Sequence, residues 1–226
     1  MKPIVIIGGY LSEVNDYLRM AQQLAAAPFK RVVYITAFGR LDWLTLRDPD
    51  FRPALDVLAR TVELARRETG AAAVDLVGHS AGGRIARAYL GERSFYGDGY
   101  YGAQHVASLT TLGTSHSTSE VWVAQFATWL EATYPGAYYA HLKYRSVAGE
   151  SVRGRRWGAL EEIFAYRSYA ISFGSGDQIG DGVVPTASCF LPGADNLVLR
   201  GARHTPYNAP NTWYGAPAVV PLWFDG

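Results

Sequence analysis

Apolar and polar positions along this chain follow two alternating rhythms. Short, nearly continuous apolar or β-branched runs cover residues 3–8, 31–36, 73–78, 106–112, 168–174 and 196–201. Runs of this kind are what strands buried on both faces of a parallel sheet look like. Between them lie stretches with helical spacing. Val14, Leu18, Ala21 and Ala25 share one helix face. Leu55, Leu58, Ala59, Val62 and Ala65 do the same, with Arg60, Glu63, Arg66 and Arg67 turned to water. Ile85, Ala88 and Tyr89 repeat the pattern, and Gly91 is placed to end that helix. Strand and helix in repeated alternation predict an α/β fold of about six mostly parallel strands flanked by helices.

One connection departs from this rhythm. More than fifty residues separate the run ending at Leu112 from the run starting at Ser168, which exceeds a usual crossover. Trp122, Phe126, Trp129, Tyr138, Tyr139 and Trp157 lie in this stretch, and Trp122, Phe126, Trp129 and Leu130 have helical spacing. Two readings stand. One is an ordinary crossover helix with a packed loop. The other makes residues 116–167 an aromatic-rich insertion between strands four and five that caps a site or lines its pocket. Ligands in open α/β sheets bind beyond the carboxyl ends of the strands, so Trp122 and Phe126 become pocket candidates. A length of 226 residues suits a single domain spanning 1–226.

Composition narrows the function classes. Apolar residues make up 49% of the chain and the formal net charge is +1. That balance gives no large attraction for nucleic acid or an anionic membrane. Arg153, Arg155 and Arg156 sit in a nearly charge-balanced segment and read as a solvated loop. The single cysteine, Cys189, rules out an intramolecular disulfide and reads as a packed small residue. The first apolar run, Ile4 to Ile7, is too short for a signal peptide or a membrane span. A cytoplasmic protein is the expectation, although a leader removed earlier leaves no trace. No metal-binding motif or phosphate-binding glycine loop is present, and no protein partner is evident. Gly174, Gly176 and Gly180 loosely match a dinucleotide fingerprint, but the third glycine comes one residue late and Pro185 interrupts any helix. They read as turn chemistry.

The sharpest chemical signal is Gly78-His79-Ser80-Ala81-Gly82, a G-x-S-x-G pattern. It follows the strand-like Val74-Asp75-Leu76-Val77 and opens a helical pattern. A serine there sits on a sharp turn that exposes its hydroxyl, which makes Ser80 the candidate nucleophile. A plain strand-to-helix turn with Ser80 as its cap is the alternative. A serine hydroxyl needs a histidine to take its proton and a carboxylate to hold that imidazole. Of five histidines, His204 follows the last expected strand, at the edge where the motif loops gather, and is the best base. His79 lies inside the turn, His105 precedes a strand, and His116 and His141 flank or lie in the aromatic stretch. After residues 168–174 come two candidate acids, Asp177 and Asp181.

The ordered set Gly78-His79-Ser80-Ala81-Gly82-Gly83, Leu112-Gly113-Thr114-Ser115-His116, Gly180-Asp181-Gly182-Val183-Val184-Pro185 and Arg203-His204-Thr205-Pro206 resembles α/β-hydrolases of the esterase and lipase type. It is similar to small lipase-like hydrolases of plants and cyanobacteria and, in length, to minimal bacterial lipases. The resemblance covers nearly the whole chain. It implies an α/β-hydrolase fold with the order serine, acid, histidine, and favours Asp181 over Asp177. Similar lipases carry proline where this chain has Ser115, and the histidine after it is not their base. The resemblance also implies an oxyanion site of two backbone N–H groups. One comes from Ala81 and the other from the Gly8-Gly9-Tyr10-Leu11 loop, where Tyr10 is the donor. Many relatives have His-Gly at Gly8-Gly9.

These observations predict a serine hydrolase for a small carboxylic ester with an apolar group. It would act through an acyl-enzyme on Ser80 with His204 and Asp181, and would need no metal or other cofactor. Tyr10, His79, His116, Trp122 and Phe126 are the expected pocket residues. Two rivals stay open. The same triad serves an acyltransferase, thioesterase or amidase, and the scaffold also serves non-catalytic binding.

Overall fold

The computed structural model describes residues 1–46, 50–116, 121–207 and 209–225, with the side chains of 121–123 outside that description. Six strands form one sheet: β1 (Ile4–Ile7), β2 (Val33–Ile35), β3 (Val74–His79), β4 (Val106–Leu112), β5 (Lys143–Glu150) and β6 (Asp195–Arg200). Their spatial order is β6-β5-β4-β3-β1-β2, and every pairing is parallel. Seven α-helices are described: α1 (Leu18–Ala25), α2 (Arg40–Thr45), α3 (Arg52–Thr69), α4 (Ala81–Leu90), α5 (Val121–Thr133), α6 (Leu160–Phe173) and α7 (Val220–Trp223). None of the described helices is long and apolar enough to cross a membrane.

Successive strand residues face opposite sides of a sheet, and β1 shows the result. Val5 and Ile7 join a core with Leu55, Leu58 and Val62 of α3, Ile85 of α4 and Phe126 of α5. Ile4 and Ile6 join a second core with Met20 and Leu24 of α1 and Trp223 of α7. Helices cover both faces, which explains why the β1 run has no polar positions.

The chain runs from β1 out to β2 and then returns to the other side of β1 as β3. Ile7 pairs with Gly78, so the loops leaving β1 and β3 lie side by side. This reversal of strand order opens a crevice at the carboxyl edge of the sheet.

Two expected elements differ. Residues 168–174 are the last turns of α6, not the fifth strand. Ala165 and Tyr169 of α6 point inward while Leu160, Phe164 and Ile171 are exposed. Apolar residues on both sides blur the helical period. Gly174, at φ 75°, then ends the helix in the left-handed conformation.

The true fifth strand, Lys143–Glu150, lies inside the segment expected as an insertion, so residues 113–142 join strands four and five. Its apolar run is broken by polar residues with partners. Arg145 reaches Asp195 and Asp225 at 2.8 and 2.9 Å. Buried Ser146 accepts from Thr111 at 2.9 Å and donates to the Cys189 carbonyl at 2.6 Å. A smaller difference concerns α1. Tyr17, just before it, and Met20 and Leu24 are buried, whereas Leu18 and Ala25 face water.

Candidate active site

Ser80 is the only residue between β3 and α4, at φ 54° and ψ −125°. A non-glycine residue at positive φ is strained and persists only where its surroundings hold it. Here the Ser80 N–H donates to the Leu112 carbonyl at 2.9 Å. The Ser80 carbonyl accepts from Thr114 Oγ1 at 2.9 Å and from the Gly83 N–H at 3.1 Å. The motif glycines permit the turn. A Cβ on Gly82 would stand 2.4 Å from the Ile7 carbonyl oxygen, and one on Gly78 would stand 2.6 Å from the Gly83 Cα.

His204 Nε2 lies 3.0 Å from Ser80 Oγ, and His204 Nδ1 lies 2.7 Å from Asp181 Oδ2. Asp181 precedes β6 and His204 follows it. The two are also joined through their backbones, because the His204 N–H donates to the Asp181 carbonyl at 3.1 Å. Asp181 is 2% exposed. Its Oδ1 accepts the N–H groups of Val183 and Val184 at 3.0 and 2.8 Å, and its Oδ2 accepts the Tyr214 hydroxyl at 2.8 Å. Burial alone would raise this carboxyl. His204 and the two backbone N–H groups outweigh it and hold the group below the ordinary carboxylate value. An ionised Asp181 can only accept, so His204 Nδ1 carries the proton and Nε2 is free to accept from the serine hydroxyl.

Asp177, the competing acid, is elsewhere. It is 68% exposed and pairs with Arg153 at 2.9 Å.

After β1, the loop turns within four residues. The Ser12 N–H donates to the Gly9 carbonyl at 3.2 Å, with Leu11 at φ 57°. Tyr10 stands in this turn, half exposed, its ring edge-on to Trp43 at 5.5 Å. The Gly9 N–H is occupied by the Tyr17 hydroxyl at 2.9 Å. Ala81 opens α4, where a helix leaves its first N–H groups without intrahelical partners.

A small open cleft of about 330 Å³, mouth included, runs between the 9–12 loop and the 204–207 loop. Ser80, His204, Tyr10 and His79 line it. His79 is 4% exposed. Burial, then the nearby His204, pushes its pKa down to about 3, so it is neutral.

Two other pocket candidates are not at this cleft. His116 is buried among Arg87 at 3.2 Å, Ser146 at 3.2 Å and Thr111 at 3.3 Å. Burial and the Arg87 and Arg84 charges keep it neutral. Phe126 is a core residue against Phe51, with ring centroids 4.9 Å apart. Its helical spacing reflects core packing. The Trp122 side chain lies outside the described residues.

Tyr214 and Tyr17 escaped sequence reasoning. No motif marks Tyr214. Tyr17 stands at i, i+3, i+7 spacing with Met20 and Leu24, a signal that was present on the other face of the expected helix.

A family profile described as alpha/beta hydrolase fold matches residues 2–147. No curated protein matches the sequence significantly. Among solved structures, a gene product of Listeria innocua is similar at 16% identity, covering 98% of this chain and 92% of that one, with a TM-score of 0.56. An alpha-beta serine hydrolase homologue from Coxiella burnetii is similar at 14% identity, covering 91% and 78%, with a TM-score of 0.49. A predicted CIB-like hydrolase from Thermoplasma acidophilum gives 14% identity, 91% and 78% coverage, and a TM-score of 0.48. Identities this low speak for the fold alone. With the profile spanning well over half of its length, this chain belongs to the alpha/beta hydrolase fold family.

Proposed function

We propose that the chain is a serine hydrolase acting on small carboxylic esters with an apolar group. The observation that carries this reading is Ser80, held at positive φ with its Oγ 3.0 Å from His204 Nε2. His204 takes the hydroxyl proton as Ser80 Oγ attacks the ester carbonyl. The Ala81 and Tyr10 N–H groups receive the developing oxyanion. Asp181 keeps the imidazole in its Nδ1–H tautomer and stabilises the cation that forms. His204 then hands the proton to the departing alcohol. Water, deprotonated by His204, cleaves the acyl-enzyme and releases the acid. These steps use only groups of this chain. Tyr10, Leu11, Pro206 and Tyr207, which line the cleft, offer apolar surface to the substrate.

The test is hydrolysis of p-nitrophenyl esters of increasing acyl length by the wild type and by Ser80→Ala. The expected outcome is a loss of about 10⁵-fold or more in kcat for the variant. Equal turnover by both proteins would sink the mechanism. Faster turnover of a thioester or an amide than of the matched ester would reassign the substrate class while keeping Ser80. Acyl transfer to an added alcohol in preference to water would make the protein a transferase.

A further inference from the structure

Behind Ser80, a run of buried hydrogen bonds connects parts of the site that are far apart in sequence. The Gly9 N–H meets Tyr17 Oη at 2.9 Å, Tyr17 Oη meets His79 Nδ1 at 2.8 Å, and His79 Nε2 meets the His204 carbonyl oxygen at 2.9 Å. The directions are forced. A carbonyl only accepts, so His79 Nε2 carries the proton. Neutral His79 then has a bare Nδ1, which accepts from the Tyr17 hydroxyl, and Tyr17 Oη accepts from the Gly9 amide. Tyr17, His79 and His204 are 2%, 4% and 6% exposed, so water does not compete for these bonds.

We propose that Tyr17 and His79 are positioning residues that lock the loop carrying the oxyanion donor to the loop carrying the base. This inference rests on the hydrolase reading above. It assigns a purpose to two groups that the reaction itself does not use.

Three observations support it. First, the local fit is specific. A Cβ on Gly8 would stand 2.7 Å from the Tyr17 ring and 2.5 Å from Ser12 Oγ, so the tyrosine fills the space that a side chain at position 8 would need. A Cβ on Gly9 would stand 2.7 Å from the Ser80 Cβ, so this loop lies directly against the turn bearing the serine. Second, the Gly9 amide is taken by Tyr17, which fixes the Gly8–Gly9 peptide plane, one before the plane that carries the Tyr10 N–H. Third, further hydrogen bonds that join the two loop regions lie at the surface. Tyr207 donates to Asp16 at 2.7 Å, and Arg40 bridges the loops by donating to the Leu11 carbonyl at 3.2 Å and to Tyr207 at 3.1 Å. Exposed contacts of that kind compete with water and hold geometry weakly. The buried pair is therefore what sets the distance between oxyanion donor and base. A small misplacement of either group lowers the rate even when substrate still binds.

The experiment compares wild type, Tyr17→Phe, His79→Leu and His79→Gln. The readouts are kcat and KM on p-nitrophenyl acetate and the second-order rate of labelling by a fluorophosphonate. In labelling, Ser80 Oγ forms the O–P bond, fluoride leaves and His204 takes the hydroxyl proton. Glutamine carries an acceptor and a donor about as far apart as the two ring nitrogens, so it can replace both His79 bonds. Leucine replaces neither.

The expected result is a loss of about 10-fold to 100-fold in kcat and in labelling rate for Tyr17→Phe and His79→Leu. KM should change little, and His79→Gln should recover most of the loss. A merely structural role would lower the melting temperature without this split or this rescue. Labelling of Tyr17→Phe and His79→Leu within twofold of wild type overturns the proposal. So does a His79→Gln rate as low as that of His79→Leu. If Tyr17→Phe does not fold, the two His79 variants decide alone. Failure of the wild type to label is a different result, because it overturns the hydrolase reading and the pair's role with it.

Discussion

Besides His204, two buried histidines stand at this sheet, and their surroundings are chemically alike. His79, at the end of β3, accepts from the Tyr17 hydroxyl and donates to a carbonyl. His116, just after β4, accepts from Arg87 through Nδ1, which leaves its Nε2–H for Thr111 and Ser146. Both carry the proton on Nε2. Both are kept neutral, first by burial and then by a neighbouring positive or protonatable group. The difference lies in what each one joins. The partners of His79 are the His204 carbonyl and Tyr17, which holds the Gly9 amide, so it joins the loops of the proposed base and the proposed oxyanion donor. The partners of His116 belong to α4, β4 and β5, and it knits the interior of the sheet. Burial and a shifted pKa therefore do not locate chemistry by themselves. The elements that a residue connects do.

The largest test of this contrast is on the acid beside the first cluster. Asp181→Asn keeps the shape of the site but offers His204 the wrong tautomer partner. It is expected to lower kcat on a p-nitrophenyl ester by about 10⁴-fold, with the fold retained. The second cluster should respond the other way round. Arg87 is buried, pairs with Glu131, and donates to the Tyr134 carbonyl at 2.8 Å. Arg87→Met strands those acceptors and should cost about 3 kcal/mol in chemical denaturation. Its kcat should stay within about threefold of wild type. A large loss of kcat with unchanged stability would erase the distinction between the clusters.

Acid should act on both histidines in the same direction. Folded His79 stays neutral down to about pH 3, whereas its ordinary value is 6.5. Between those values the unfolded chain binds more protons, so stability falls as pH drops. Above pH 6.5 the stabilisation is complete. Asp181, whose folded value is also lowered, adds to the loss below the ordinary carboxylate range. Denaturation curves from pH 4 to 6 should show the slope falling by about one proton, roughly 1.4 kcal/mol per pH unit, in His79→Gln, and falling in the same direction in His116→Gln. An unchanged slope would mean that neither ring is held neutral. The smallest effect belongs to Asp177→Asn at the surface, expected within about 0.5 kcal/mol and without effect on turnover.

The legible parts of this molecule are those where one residue type is the only one that fits. Ser80 could be read because the turn around it has no room for side chains at Gly78 and Gly82. Asp181 and His204 could be read because they bracket a recognisable strand. β5 could not, since Ser146 and Arg145 are polar residues whose partners, Thr111, Cys189, Asp195 and Asp225, are distant in sequence. The end of α6 misled for the opposite reason. Its outward face carries Leu160, Phe164 and Ile171, so no polar side marked it as a surface helix. Tyr214 was invisible because a tyrosine that holds a carboxylate looks like any core tyrosine.

β6 is an outermost strand, paired along its length only with β5, and most of its residues are exposed. Ser80, by contrast, rides on β3 near the middle of the sheet. His204 thus follows the carboxyl end of an edge strand, while Asp181 sits beside the carboxyl ends of β4 and β5, where a Cβ on Gly113 would stand 2.7 Å from Asp181 Oδ2. For the proposed hydrolysis, competence becomes a property of how firmly the base is held at that margin.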